Sequence, residues 1–349
     1  MEAYRRTRTI YVGHVPVGGG HPIVVQSMTK TDTRNVKSTV NQIKSLEVEG
    51  CEIVRLAVPD TDSAKALGKI KKSVHIPLIA DVHFDWRLAL KSIEQGIDGL
   101  RINPGNIGAK WKVKEVVAAA HDKGIPIRIG VNAGSLEREL LKKYGDSKPE
   151  ALVESAGKHI QILEELHFTN IKVSLKASEV LKTVGAYRLF SEKYDYPLHI
   201  GISEAGPPST GIIKSSVGLG ILLSEGIGDT IRVSLTAEPE EEVRVAYEIL
   251  KSLGLRKKGV DIISCPTCGR CRIDLRRLAT EVESRLRNID KQIKIAVMGC
   301  VVNGPGEARE ADFGIAGGKG RGILFKKGKV VRQIKESEFL EALLKEIEE

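Results

Sequence analysis

Residues 77–103 read PLIADVHFDWRLALKSIEQGIDGLRIN, and their periodicity decides the fold. Pro77–Val82 is a short apolar run, Trp86–Glu94 an amphipathic stretch, and Gly99–Asn103 a second apolar run. Strand, helix and strand in that order make a parallel pair with a crossover helix. The unit recurs along the chain. Candidate strands are Pro22–Ser27, Glu52–Ala57, Pro77–Val82, Gly99–Asn103, Pro126–Val131, Asn170–Leu175, Pro197–Ile202 and Thr230–Leu235. Helical patterns separate them at Thr39–Glu49, Asp62–Lys72, Trp86–Glu94, Lys112–Lys123, Ala151–Leu166, Glu179–Lys193, Gly211–Glu225 and Glu240–Leu253. Eight such units predict an α/β fold closed as a (β/α)8 TIM barrel rather than an open doubly wound sheet. Gln26-Ser27-Met28-Thr29, at the end of the first strand, is not the G-x-G-x-x-G turn of a dinucleotide-binding fold. Thr9–Val17 alternates like a hairpin and is suited to plug the barrel's bottom.

The 349 residues exceed the roughly 250 of a bare barrel. After Leu255 the pattern changes to Gly259–Ile263, a helical Arg272–Arg285, Ile293–Val297, a hairpin-like Phe313–Gln333 and a helical Glu338–Glu349. The expected organisation is a substrate-binding barrel over residues 1–255 and a small α+β domain over 256–349. The Gly-rich Gly314–Gly320 lacks the G-x-x-x-x-G-K-[ST] spacing of a phosphate loop and no helix follows it, so it reads as a hairpin turn.

With 41% hydrophobic and 28% charged residues, the chain has the apolar material for packed cores, which excludes disorder over most of its length. No apolar run reaches the roughly 18 residues of a membrane helix, and Met1–His14 lacks the apolar centre of a secretory signal, so a cytoplasmic protein is expected. Lys and Arg number 54 against 45 Asp and Glu, and the net charge of +9 favours an anionic partner. Basic clusters such as Arg256-Lys257-Lys258 are too short for a nucleic-acid stripe.

Side chains two apart on a strand share a face. By that parity Arg55, Asp81 and His83, Arg101 and Asn103, Arg128 and Asn132, Ser174 and Lys176, His199, and Arg232 and Ser234 point to one side of their strands. Their neighbours of opposite parity, such as Val54, Val82, Ile102, Ile129 and Val233, are aliphatic, as faces under helices should be. Arg55, Arg101, Arg128, Lys176 and Arg232 therefore converge on one mouth, where barrel enzymes carry their sites. Like charges so close need a counterion, and Asp81 and Glu204 offset only part of the excess. Guanidinium pairs suit phosphate oxygens, so the expected ligand is a small molecule bearing more than one phosphate.

Cys265, Cys268, Cys271 and Cys300 crowd into the C-terminal part, whereas Cys51 stands alone in an apolar run and reads as a core thiol. Cys265-Pro266-Thr267-Cys268-Gly269-Arg270-Cys271 is a C-x2-C-x2-C run, which favours a [4Fe–4S] cluster over zinc and by spacing alone nominates Cys271 as the third ligand. The turn Val301–Gly306 is able to return Glu307 toward the same site.

Ser264-Cys265-Pro266-Thr267-Cys268 combined with Met298-Gly299-Cys300-Val301-Val302-Asn303-Gly304-Pro305-Gly306-Glu307 resembles the bacterial 4-hydroxy-3-methylbut-2-en-1-yl diphosphate synthases of the methylerythritol phosphate route to isoprenoids. The likeness spans essentially the whole chain, from Val25–Thr29 onward, in the compact two-domain form. It implies a [4Fe–4S] cluster held by Cys265, Cys268, Cys300 and Glu307. Cys271 departs from that motif. A carboxylate is a harder, more readily displaced iron donor than a thiolate, which suits Glu307 to yield a coordination position, while an all-cysteine site stays open. The resemblance also implies reductive ring opening of a cyclic diphosphate, a ferredoxin or flavodoxin electron donor, and a homodimer in which each cluster domain caps the partner's barrel. A hydroxyl leaves more readily once protonated, and Glu204, past the seventh strand, is the candidate acid, or else a counterion to Arg232 or Lys176. The competing readings are a zinc-stabilised barrel binding a phosphorylated or pterin-like ligand without redox chemistry, and a basic zinc-ribbon adaptor.

Overall fold

A computed structural model describes residues 5–287, 289, 291–300, 306 and 309–348. The chain divides into two compact units, Met1–Arg256 and Lys257–Glu349. Arg256, expected to open the second domain, belongs with the first: its guanidinium pairs with Glu52 at 3.0 Å and donates to the Ile23 carbonyl.

An antiparallel hairpin, β1 (Ile10–Val12) and β2 (Val15–Val17), opens the first unit. The barrel strands follow as β3 (Val24–Met28), β4 (Ile53–Ala57), β5 (Leu78–Asp81), β6 (Gly99–Ile102), β7 (Ile127–Asn132), β8 (Ile171–Lys176), β9 (His199–Ile200) and β10 (Thr230–Ile231). The helices are α1 (Val36–Val48), α2 (Thr61–Lys71), α3 (Trp86–Glu94), α4 (Pro104–Ile107), α5 (Lys110–Asp122), α6 (Arg138–Tyr144), α7 (Pro149–Glu164), α8 (Val180–Lys193), α9 (Pro208–Ser224) and α10 (Pro239–Ser252). The sheet runs β8-β7-β6-β5-β4-β3-β10-β9, all parallel, and a bridge between Val173 and Leu198 joins its two ends into a TIM barrel.

Outward strand residues such as Val54, Leu56, Leu100, Ile102, Ile127 and Ile129 pack under the helices in one core. Each fully buried aliphatic of this kind contributes about 1.5–3 kcal/mol, which is why the helices lie on the sheet by their apolar stripes. At the opposite end from the mouth, Ile10, Val12 and Val17 of the hairpin cluster with Val24, Ile53 and Ile79 from the strand starts. The hairpin therefore caps the bottom, as its alternation predicted.

Strands β9 and β10 are each two residues long, shorter than the sequence suggested. Beyond Ile200 the Ser203 amide donates to the Ala177 carbonyl, and beyond Ile231 the Thr236 amide donates to Gly206, so both chains leave the ladder to build mouth loops. The short helices α4 and α6 were not anticipated.

In the second unit β11 (Asp261–Ser264), β12 (Lys294–Met298) and β13 (Phe313–Gly317) run parallel, and β14 (Arg321–Lys326) and β15 (Lys329–Lys335) continue the sheet antiparallel. The expected hairpin is thus a three-stranded meander. Helices α11 (Leu275–Leu286) and α12 (Phe339–Glu348) cover one face through Leu278, Val282, Phe339 and Leu343. The Gly-rich Gly314–Gly320 runs from within β13 into the β13–β14 turn, which occupies only 318–320.

Candidate active site at the barrel mouth

Inward-facing residues of the barrel carry polar groups from mid-height to the mouth. A cavity of about 380 Å³ there is lined by Lys30, Arg55, Arg101, Arg128, Lys176 and Arg232 against the carboxylates Asp81, Glu204 and Glu242, with His83, Asn132, Ser174, Ser203, Ser234 and Thr236 between them. Six basic side chains thus face three acidic ones.

Asp81, at the end of β5, organises one side. Its carboxylate lies 3.6 Å from Arg55 Nε, 3.2 Å from Arg101 Nη1 and 3.5 Å from the His83 ring. Burial opposes its charge, yet Arg55, the His83 hydrogen bond and Arg101 together hold it well below the usual carboxylate range. Arg101, 4% exposed, also donates to the Gly130 carbonyl at 3.1 Å. A Cβ at Gly130 would sit 2.7 Å from Arg101 Nε, so glycine there makes room for the guanidinium. Arg128 donates to Ser174 Oγ at 3.2 Å.

Glu242 organises the other side. It lies near the start of α10, is 2% exposed, accepts from the Leu235 amide at 2.9 Å, and stands 3.1 Å from Lys30 Nζ and 3.7 Å from Arg232 Nη2. Lys30 also donates to the Leu235 and Ala237 carbonyls.

The ring still has unused donors. The Nε–H groups of Arg55, Arg101, Arg128 and Arg232 are buried and find no acceptor among the described residues. Buried donors are almost always paired in native proteins, so four convergent exceptions point to acceptor oxygens brought by a ligand or its hydration. Burial, followed by repulsion from Arg128 and Arg232, pushes the Lys176 amine well below its ordinary range, and burial with Arg55 lowers Arg232 to about 10.

Two expected mouth residues lie off the cavity wall. His199 is fully buried, and its Nδ1 is 2.7 Å from Thr230 Oγ1 in the register pair of β9 with β10. Burial, then Lys176 and Arg128, keeps its ring neutral. Asn103 spends its carboxamide oxygen on the Gly130 amide at 2.9 Å, tying β6 to β7. Parity gives the side of a strand and not what a side chain bonds to there: the His199 ring is engaged by Thr230 and the Asn103 carboxamide by Gly130. The other expected barrel residues and Glu204 line the cavity. Glu204 is exposed, makes no ion pair among the described residues, and has a left-handed backbone at φ 52°. Such strain in a non-glycine residue gathers at functional sites. Lys30 and Glu242 went unread in the sequence.

In the second unit the Gly299 amide donates to Cys265 Sγ at 3.3 Å, and a Cβ at Gly299 would overlap the Cys271 sulfur. Cys300 follows at once, Cys268 is exposed on the same loop, and Thr267 between the first pair of cysteines has φ 52°. Glu307 lies outside the described residues. Among the described residues no three His, Cys, Asp or Glu side chains gather as a closed metal cage. Sulfurs grouped around a glycine at a strand end nevertheless suit a bulky thiophilic group, because the missing Cβ leaves space beside them.

Residues 7–247 match the GcpE TIM-barrel domain and residues 261–349 the GcpE protein C-terminal domain. The chain belongs to the GcpE family. GcpE relatives named 4-hydroxy-3-methylbut-2-en-1-yl diphosphate synthase (flavodoxin) include one from Thermodesulfovibrio yellowstonii, 66% identical over 98% of both chains. Another, from Geobacter sulfurreducens, is 63% identical over 98% of this chain and 97% of its own. Among solved structures, the GcpE barrel is similar in fold to Yersinia pestis dihydropteroate synthase (TM-score 0.52, 12% identity, covering 70% of this chain and 98% of the other). It is likewise similar to type I 3-dehydroquinate dehydratase from Clostridium difficile (TM-score 0.51, 16% identity, 71% and 98%). At such identities the likeness is one of fold alone.

Proposed function

We propose that the chain is an oxidoreductase of isoprenoid biosynthesis that opens 2-C-methyl-D-erythritol 2,4-cyclodiphosphate reductively to (E)-4-hydroxy-3-methylbut-2-enyl diphosphate, as the names of its relatives suggest. Two electrons enter, the C–O bond to one phosphate breaks, and a hydroxyl departs as water. The observation that carries the reading is the ring of buried guanidinium groups with four unaccepted Nε–H donors. Two linked phosphates supply enough oxygens for those donors, and charge-assisted bonds of this kind contribute about 1.5–3 kcal/mol each. Asp81 and Glu242 hold the cations in place before the ligand arrives. Glu204 delivers the proton that turns the departing hydroxyl into water.

Cys265, Cys268, Cys300 and Glu307 would hold a [4Fe–4S] cluster. When bound, such a group supplies electrons singly and a Lewis-acidic metal. A small acidic flavodoxin is the donor, in keeping with the relatives' names and the +9 charge, and the enzyme works in the cytoplasm, where clustered thiols stay reduced. No helix among the described residues is long and apolar enough to cross a membrane.

The working form is a homodimer with composite sites. Leu181 on α8 and Ile213 on α9, 76% and 63% exposed on helices that pack together, support association. Mixing Glu204→Gln chains with Cys265→Ser chains tests it: recovered turnover supports sharing between subunits, and none overturns it. The function itself is tested by adding reduced flavodoxin and the cyclic diphosphate to anaerobically purified protein. Product formation by brown, iron-loaded protein is expected. Colourless, zinc-loaded protein without turnover overturns it.

A further inference from the structure

Cys271 has no place in the ligand set above, yet it is not a stray thiol. Its half-buried sulfur lies against Gly299, on the residue that also donates to Cys265 Sγ and directly precedes Cys300. Two main-chain bonds fix it there: the Cys271 amide donates to the Cys268 carbonyl at 2.9 Å, and the Arg272 amide donates to the Gly299 carbonyl at 3.1 Å. The first closes a tight turn with Cys268 at one end and Cys271 at the other. The second pins the Cys271 end to the segment leaving β12. Cys268, at the other end, is exposed. The only hydrogen bond recorded for the Cys271 thiol among the described residues runs to the Ile273 carbonyl at 3.3 Å, a weak bond that deprotonation would release.

We propose that Cys271 is a reserve cluster ligand, a fourth sulfur donor that binds iron when Cys268 is lost. The inference rests on the iron–sulfur reading of this site. Chemically the exchange is simple: the Cys271 S–H proton goes to solvent, and the thiolate forms an Fe–S bond at the iron that Cys268 would have held. Both residues hang from one turn, so the exchange needs no rearrangement of β11 or β12. Thiolate is also a far better donor to iron than the serine hydroxyl that replaces Cys268 in the test.

The experiment compares iron and acid-labile sulfide content, and the electron paramagnetic resonance of the reduced state, in anaerobic wild-type, Cys271→Ser, Cys268→Ser and doubly substituted protein. Wild type and Cys271→Ser should both hold a cluster. Cys268→Ser should retain iron and sulfide within about twofold of wild type, and the double variant should lose about tenfold or more. Alkylation with iodoacetamide under anaerobic conditions, read by mass spectrometry, should modify Cys271 in loaded wild type and spare it in loaded Cys268→Ser. Where Cys268→Ser accumulates poorly, reconstituting the refolded chains with ferrous iron and sulfide reads the same contrast. Equal cluster loss in Cys268→Ser and the double variant overturns the proposal, as does equal retention. Wild type without any cluster instead refutes the iron–sulfur reading itself, and the proposal falls with it.

Discussion

Arg232 Nη2 lies 3.7 Å from Glu242 Oε2, so the counterion of this cavity arginine comes from the first turn of α10, and Glu204 is left without an ion pair among the described residues. Glu242 also holds Lys30, and it is almost fully buried. Breaking a buried pair from one side leaves uncompensated charge, so Glu242→Gln should destabilise the fold by about 3 kcal/mol. For a domain of this size that is a fall in Tm of roughly 5–10 °C. A calorimetric scan measures it, and an unchanged Tm contradicts the pairing.

Release of Glu204 from counterion duty makes its substitution selective. Glu204→Gln should lower kcat by about 100-fold or more, the usual worth of a positioned general acid, with KM nearly unchanged. Metal content and Tm should stay at wild-type values. A rise in KM with kcat intact would make Glu204 a binding residue.

Arg128 and Arg232 should behave in the opposite way. Arg128→Met and Arg232→Met each remove one charge-assisted contact worth about 1.5–3 kcal/mol, so each should raise KM or the Kd for the diphosphate by roughly 10- to 100-fold. Equilibrium titration with the diphosphate product measures this without turnover.

Lys176 gives the site a proton balance. Burial and then Arg128 and Arg232 lower its pKa in the free chain, and phosphate charge beside it raises the pKa again. Between the two values the complex holds a proton that the free chain lacks. Binding therefore takes up a proton and weakens as pH rises through that window. Calorimetry in two buffers of different ionisation enthalpy should show the uptake, and Lys176→Met should abolish it.

Lys172 is inward-facing on β8, 1% exposed, and its amine has no hydrogen-bond partner among the described residues. Burial, then Arg128, lowers its pKa from 10.5 to about 7. The unfolded chain binds the extra proton between those values, so stability rises with pH across that window and the cost is full below pH 7. Lys172→Met should stabilise the protein by about 4 kcal/mol at pH 7, and the gain should shrink toward pH 10. A pH series of melting curves shows whether it does.

The barrel was readable because its strands alternate between aliphatic residues under the helices and polar residues inside, as in Val54 and Arg55 or Ile129 and Arg128. The cavity arginines were readable by the same parity. Burial was not: His199 shares the inward parity yet is fully buried against Thr230, a cross-strand contact that alternation along β9 does not reveal. Glu242 was hidden inside Glu240-Glu241-Glu242, where only the phase of α10 against the sheet decides which carboxylate turns inward. Lys30 lies past the end of β3, where alternation no longer applies. The cysteine spacing suggested a metal site but could not tell which end of the Cys268–Cys271 turn faces Gly299, a matter of tertiary contact.

The β1–β2 hairpin, seated on Val24, Ile53 and Ile79, stoppers the floor of the barrel, and among the described residues the charged cavity opens at the other end. A guest of that cavity should therefore leave by the rim it entered, and spent product should compete with fresh substrate for the same guanidinium groups.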